Sequence, residues 1–244
     1  MMSKNKTYLI LISIFVCFQL VFNVVVFFIT FNDLIDSDFA DCIKYSSIIL
    51  CFMVSIFAMK TKKGYLITCG LGFTLISDYF LLIRNDHYVL GISIFILAQT
   101  CYFLFIMPKH WKISLIIRGS IFLVALILLL TIAEEKEASS YLAAFYFINL
   151  VMNAVDAYAT KDKGLLTFAI GLTFFIGCDI LVFFYNVSDY VSVESKWVQD
   201  IIDFSLEGLW LFYIPSQTFI AISSFFKNNI DEIKRIKSAK QCGE

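Results

Sequence analysis

Eight runs of about 20 predominantly apolar residues follow one another along this chain, separated for the most part by only a few polar residues. They fall at residues 8–31, 43–59, 64–83, 88–107, 113–132, 141–160, 165–185 and 205–226. A run of that length crosses the hydrocarbon core of a bilayer as a helix. No water is available there, so the backbone must satisfy its own N–H and C=O groups, and over such a run only a helix does so. The expected fold is therefore an all-α, polytopic membrane bundle of about eight transmembrane helices. Composition agrees. Of 244 residues, 60% are hydrophobic and 16% charged, with a mean hydropathy of +0.83, whereas a soluble domain carries roughly 25% charged residues. Two prolines and ten glycines provide no linker on which to divide the chain, so residues 1–244 are expected to form one transmembrane domain.

The first run follows Lys4 and Lys6, as a signal peptide would, but its 24 residues exceed the apolar core of a cleavable signal and no small-residue cleavage site follows. It reads as a retained span. Charge placement is consistent with the count. With the N-terminus on the cytoplasmic side and alternate sides thereafter, fifteen of the nineteen basic residues, Arg118 among them, fall at cytoplasmic ends. Lys44, Arg84, Lys136 and Lys196 remain for the other side, among many acids. Eight spans with both termini cytoplasmic follow from the positive-inside rule, and the cell membrane is the expected location. The cationic stretch from Lys227 to Lys240 reads as a membrane-surface anchor.

Seven cysteines are scattered, mostly within spans, and His87 and His110 lie in connections far from any of them. Such cysteines behave as small hydrophobes, and neither a disulfide framework nor a metal site is expected. The chain has no phosphate-binding loop, nucleophile elbow, zinc-protease motif or dinucleotide fingerprint. No cofactor is expected, and no nucleic acid partner.

Ionisable residues inside spans are costly in lipid and mark function by default. Gly70 to Asp78 (GLGFTLISD) in the third span resembles Gly171 to Asp179 (GLTFFIGCD) in the seventh. The similarity suggests two parallel four-helix halves, each contributing one aspartate about 7–8 Å below the outer end of its span. Two buried carboxyl groups close together can share one proton, which provides an acid and a base in one site. Other polar residues recur at helical spacing: Gln19 and Asn23; Tyr146, Asn149, Asn153 and Asp156; Glu207, Trp210, Tyr213 and Gln217; and Gln99 with Tyr102. Many of these are expected to bond neighbouring helices. Asp156, near a cytoplasmic end, is expected to meet water beside Lys161. Lys44 opens the second span on the outer side, where its ammonium could pair with an aspartate or hold a lipid phosphate. These residues also leave open a transporter that binds a proton or cation.

The segment Gly72 to Leu82 around Asp78 resembles the Gly-Asp-x-x-Leu segment of the YhhN-like lysoplasmalogenases. Gly91 to Tyr102 is similar to that family's Gly-x-x-x-Phe-x-x-x-His-x-x-Tyr, Gly171 to Asp179 to its second aspartate-bearing segment, and Tyr213 to Gln217 to its Tyr-x-x-x-Gln. Lys44 stands where the family has Lys-Pro. Gln99 replaces the family histidine and Tyr45 the proline. The resemblance implies hydrolysis of the vinyl ether bond of a lysophospholipid, the lysoplasmalogen, to a fatty aldehyde and a glycerophospho-head group. It implies Asp78 and Asp179 as catalytic residues. Lys44, Gln99, Tyr102, Tyr213 and Gln217, which lie in the matching segments, and Asn149, from the polar stripe of the sixth span, are expected in substrate binding or support. The chemistry suits two carboxyl groups: one protonates carbon, and the other stabilises the oxocarbenium ion and activates water. A descendant that lost activity with the histidine would instead bind lysolipid without cleaving it.

Overall fold

The computed structural model describes residues 2–32, 37–59, 63–84, 86–132, 137–187 and 195–241, and side chains for 9–29, 39–57, 59, 63–84, 86–131, 137–186, 195–205 and 208–226. Eight helices carry windows long and apolar enough to cross a membrane. They are α1 (Met2–Asn32), α2 (Ser37–Ala58), α3 (Gly64–Asp78), α4 (Tyr88–Ile106), α5 (Trp111–Ile132), α6 (Ala138–Ala159), α7 (Leu166–Val187) and α8 (Lys196–Gln241). A π-helical turn, Tyr79–Ile83, prolongs α3, and a 3-10 turn, Lys163–Leu165, leads into α7. Among the described residues there is no strand.

Helix ends depart from the hydropathy boundaries. α2 begins at Ser37 rather than at residue 43, and α6 at Ala138 rather than 141. α8 begins at Lys196 rather than 205 and continues to Gln241, so half of the expected seventh connection and the cationic tail are helical. Hydropathy marks where lipid begins, whereas helix hydrogen bonding continues into water. Ile202, inside the extra turns of α8, is buried. At 1.5 Å per residue α8 is about 69 Å long, which exceeds the thickness of a bilayer. The expected topology rests largely on side chains outside those described, including Lys4, Lys6, Lys60, Lys62 and the lysines beyond residue 226.

Helix contacts close a ring in the order α2, α3, α4, α6, α7, α8 and back to α2. α1 lies outside it against α2 and α8, and α5 outside it against α6. The pairing has a repeated character: α3 pairs with α4 as α7 pairs with α8, and α2 meets α8 as α6 meets α4. The exposed large side chains of α1 and α5, such as Leu9, Phe18, Ile116 and Leu123, form the lipid-facing surface. Because lipid is as apolar as leucine, association between these helices depends on close packing and hydrogen bonds. The two similar segments supply the close packing. The ring of Tyr102 lies over Gly70, leaving no room for a Cβ. At Gly171 a Cβ would stand 3.0 Å from Ser216 O and 3.0 Å from the backbone nitrogen of Ile220. The first glycine thus lets α4 approach α3, and the second lets α8 approach α7.

Gly171→Ala should therefore destabilise the bundle by about 1–3 kcal/mol through overpacking, read as a lowered melting temperature in detergent. Gly119→Ala is the control, because a Cβ there meets nothing within 4 Å. Equal melting temperatures for the two variants would show that the α7–α8 approach does not limit stability.

Candidate active site

Asp78 is the last residue of α3 and points into the ring. Its position is fixed on both sides. Ser77 Oγ donates to the Gly91 carbonyl of α4 at 2.6 Å, and Tyr45 Oη of α2 donates to the Leu75 carbonyl at 3.2 Å. The π-helical turn starts at the next residue, which lets the chain change course just past the carboxyl group. Across the ring, Tyr213 Oη of α8 donates to Asp78 Oδ2 at 2.6 Å. A carboxyl group taken out of water needs hydrogen-bond partners from the protein, and this phenol supplies one. Tyr213 is itself held edge-on by Trp210 and Phe175, with ring centroids 5.5 and 5.4 Å away.

Asp179 of α7 faces the same interior, close enough to act electrostatically on Asp78. Tyr146 of α6 lies beside it and interacts with both carboxyl groups. The Tyr146 contact falls short of a hydrogen bond: Tyr146 Oη and Asp179 Oδ2 are buried and neither has a hydrogen-bond partner. Each aspartate is thus matched with a tyrosine from another ring helix, Asp78 across the ring and Asp179 from the adjacent α6, one pair bonded and one open. Phe95, Tyr146 and Phe175 pack together with ring centroids 5.4 to 6.4 Å apart, Phe175 edge to face with each of the other two. Cys178 is buried within electrostatic reach of both acids. Among the described residues neither carboxyl group has a basic partner. Two more buried atoms in the ring helices lack partners among the described residues, Gln99 Nε2 of α4 and Gln217 Oε1 of α8. Buried polar atoms are rarely left unpaired, and here one comes from each of α4, α6, α7 and α8. Such a chamber suits a polar guest.

The other expected site residues divide. Tyr102 is fully buried, its hydroxyl 3.4 Å from Thr74 Oγ1, one helical turn from Asp78. Gln217 lies one turn beyond Tyr213, with Nε2 donating to Ser216 Oγ at 3.2 Å. Lys44 pairs with Asp41 at 2.8 Å rather than with either chamber aspartate, and its ammonium lies 5.1 Å from the Trp210 ring centroid. It therefore borders the site through Trp210 and Tyr213. Asn149 turns to α5, accepting from Arg118 Nη1 at 3.1 Å. Gln19 joins α1 to α2, accepting from Ser47 Oγ at 2.6 Å and donating to the Ser47 carbonyl at 3.0 Å. The side chain of Glu207 lies outside those described.

Two expectations are corrected on α5 and α6. Asp156 does not meet water beside Lys161. It is buried, and it accepts from Arg118 Nη2 at 2.7 Å and Ser114 Oγ at 2.6 Å. Arg118 is not a charge at a membrane surface either: it is 4% exposed inside the span, also bonded to Asn153 Oδ1 at 2.9 Å. Its guanidinium stacks on Phe103, 4.6 Å from the ring centroid. A signal was present in the sequence. Asn149, Asn153 and Asp156 share one face of α6, and Arg118 is a cation within an apolar run, four residues after Ser114.

Removing the cation alone should leave Asp156 buried and uncompensated. Arg118→Met is expected to destabilise the protein by about 3–5 kcal/mol, measured by thermal unfolding in detergent. The double variant Arg118→Met/Asp156→Leu should regain much of that, and failure to regain any would mean the pair is not the unit of stability.

Compared with known proteins, residues 39–223 match the sequence model of the YhhN family. No curated protein and no solved structure matches the chain.

Proposed function

Since the chain belongs to the YhhN family, we propose that it is a lysoplasmalogenase-like hydrolase, cleaving the vinyl ether bond of a lysoplasmalogen with Asp78 and Asp179 as its acid/base pair. The observation that carries this reading is that two carboxyl groups from α3 and α7 come within electrostatic reach of each other in the buried interior, each beside a tyrosine and, among the described residues, without a basic partner. One carboxyl group delivers a proton to the vinyl carbon, which leaves an oxocarbenium ion at the ether carbon. The other, as carboxylate, stabilises that cation and takes a proton from the attacking water. The hemiacetal so formed breaks down to fatty aldehyde and the glycerophospho-head group. Aromatic walls of Phe95, Tyr146 and Phe175 limit water to what the reaction consumes. The substrate is amphiphilic, so its chain remains in lipid while its polar end enters the ring, with Lys44 at the border for the phosphate.

In purified protein, Asp78→Asn and Asp179→Asn should each lower kcat for aldehyde release from a lysoplasmalogen by at least about a hundredfold. Near-normal turnover in either variant removes that residue from the mechanism. Absence of aldehyde from the wild-type protein, with lysolipid bound, would favour a binding protein over an enzyme.

A further inference from the structure

Between the chamber and α5 runs a chain of hydrogen bonds whose direction is dictated at one end. Arg118 has only donors to offer. Its Nη2 group meets Asn153 Oδ1 at 2.9 Å, so that amide must turn its oxygen toward α5. The Asn153 NH2 group is thereby turned toward α4, where it donates to the Gln99 carbonyl and to Gln99 Oε1, both at 2.9 Å. With its oxygen engaged, Gln99 has only its NH2 group left, and Nε2 has no partner among the described residues. Asp156 holds Arg118 in place at 2.7 Å. All four residues are buried, Asn153 and Gln99 almost completely. Gln99 stands on the inner face of α4 between Phe95 and Tyr102. Phe95 packs against Tyr146 and Phe175, and Tyr102 is within electrostatic reach of Asp78. The free amide hydrogens of Gln99 therefore belong to the chamber of the two aspartates.

We propose that Arg118, acting through Asn153, holds Gln99 as a hydrogen-bond donor to an uncharged oxygen, ether or hydroxyl, of the glycerol unit of the bound lysolipid. The ligand rests on the reading given above; the orientation of Gln99 rests on the hydrogen bonds alone. An uncharged oxygen fits because Gln99 is about 16 Å along α4 from its first residue, too deep for a phosphate left at the membrane surface. Gln99 is then a binding residue, and Arg118, Asp156 and Asn153 are positioning residues. The relay also gives a glutamine at this position a definite chemical character. A free amide could present either end to a ligand; this one presents only N–H.

The test reverses the polarity of the relay. In Asn153→Asp the new carboxylate still accepts from Arg118 but cannot donate to Gln99, whose amide must flip and present its oxygen to the chamber. Binding of a saturated alkyl-ether lysophosphatidylethanolamine, which lacks the cleavable double bond, is measured on purified protein in micelles. KM and kcat for aldehyde release from the vinyl ether counterpart are measured beside it. Asn153→Asp should fold with a melting temperature near that of the wild type and bind at least about tenfold more weakly, with the loss in KM more than in kcat. Gln99→Met should lose as much, and the double variant no more than the greater single loss. Wild-type affinity in Asn153→Asp and Gln99→Met, or losses that multiply in the double variant, overturns the relay. Should Asn153→Asp not fold, Gln99→Glu, whose protonated form keeps an acceptor for Asn153 and a donor for the chamber, should outbind Gln99→Met, and equal binding overturns the donor role. A wild-type protein that binds no ether lysolipid overturns the substrate reading and this proposal together, whereas wild-type binding with indifferent variants overturns this proposal alone.

Discussion

A carboxyl group inside a bilayer has no solvent to fall back on, so each hydrogen bond it lacks must come from another helix. That constraint organises the ring of six helices. Asp78 obtains a phenol from α8, and Asp179 has a phenol from α6 beside it. Glycines in both aspartate-bearing helices bring the adjacent helices close. Close packing and polar matching are the two attractive forces available between helices in lipid, and each aspartate-bearing helix takes them from different neighbours: α3 packs closely on α4 and bonds to α8, whereas α7 packs closely on α8 and sets its aspartate beside α6.

The polar residues of the interior form two systems of opposite character. On the ring helices α4, α6, α7 and α8, bonding capacity is left open, among the described residues, at Gln99, Tyr146, Asp179 and Gln217. Around Arg118 it is filled: the guanidinium meets Ser114, Asn149, Asn153 and Asp156 and stacks on Phe103. The first arrangement suits reaction and binding, because its groups have partners still to gain. The second suits orientation, because its groups have none left to choose. They meet at Gln99, whose amide oxygen belongs to the saturated system and whose Nε2 has no partner among the described residues.

The fold was legible because it depends on run length, which any lipid-spanning helix must display. The two aspartates were legible because charge is rare in such runs, and Tyr213 because it shares a helical stripe with Trp210 and Gln217. Pairings between helices were not. Nothing in the sequence says that Asn149 turns away from the chamber or that Lys44 takes Asp41, since both depend on which helices become neighbours. Arg118 escaped notice for a different reason. Near a helix end a cation satisfies the charge rule for topology, and that sufficient account concealed the buried pair. The added turns of α8 were invisible to hydropathy because they lie beyond the stretch that lipid covers.

The peripheral position of α5 has a consequence for how the molecule is assembled. α5 packs mainly on α6, with its remaining surface turned to lipid, yet it brings a guanidinium below that surface. Before α6 is in place, Arg118 has neither Asp156 nor the two asparagines, and hydrocarbon tolerates a lone arginine poorly. The fifth span is thus a poor candidate for independent insertion and a good one for joint insertion with the sixth. These two helices are best regarded as a single hairpin, zipped by charge before α6 takes its place in the ring.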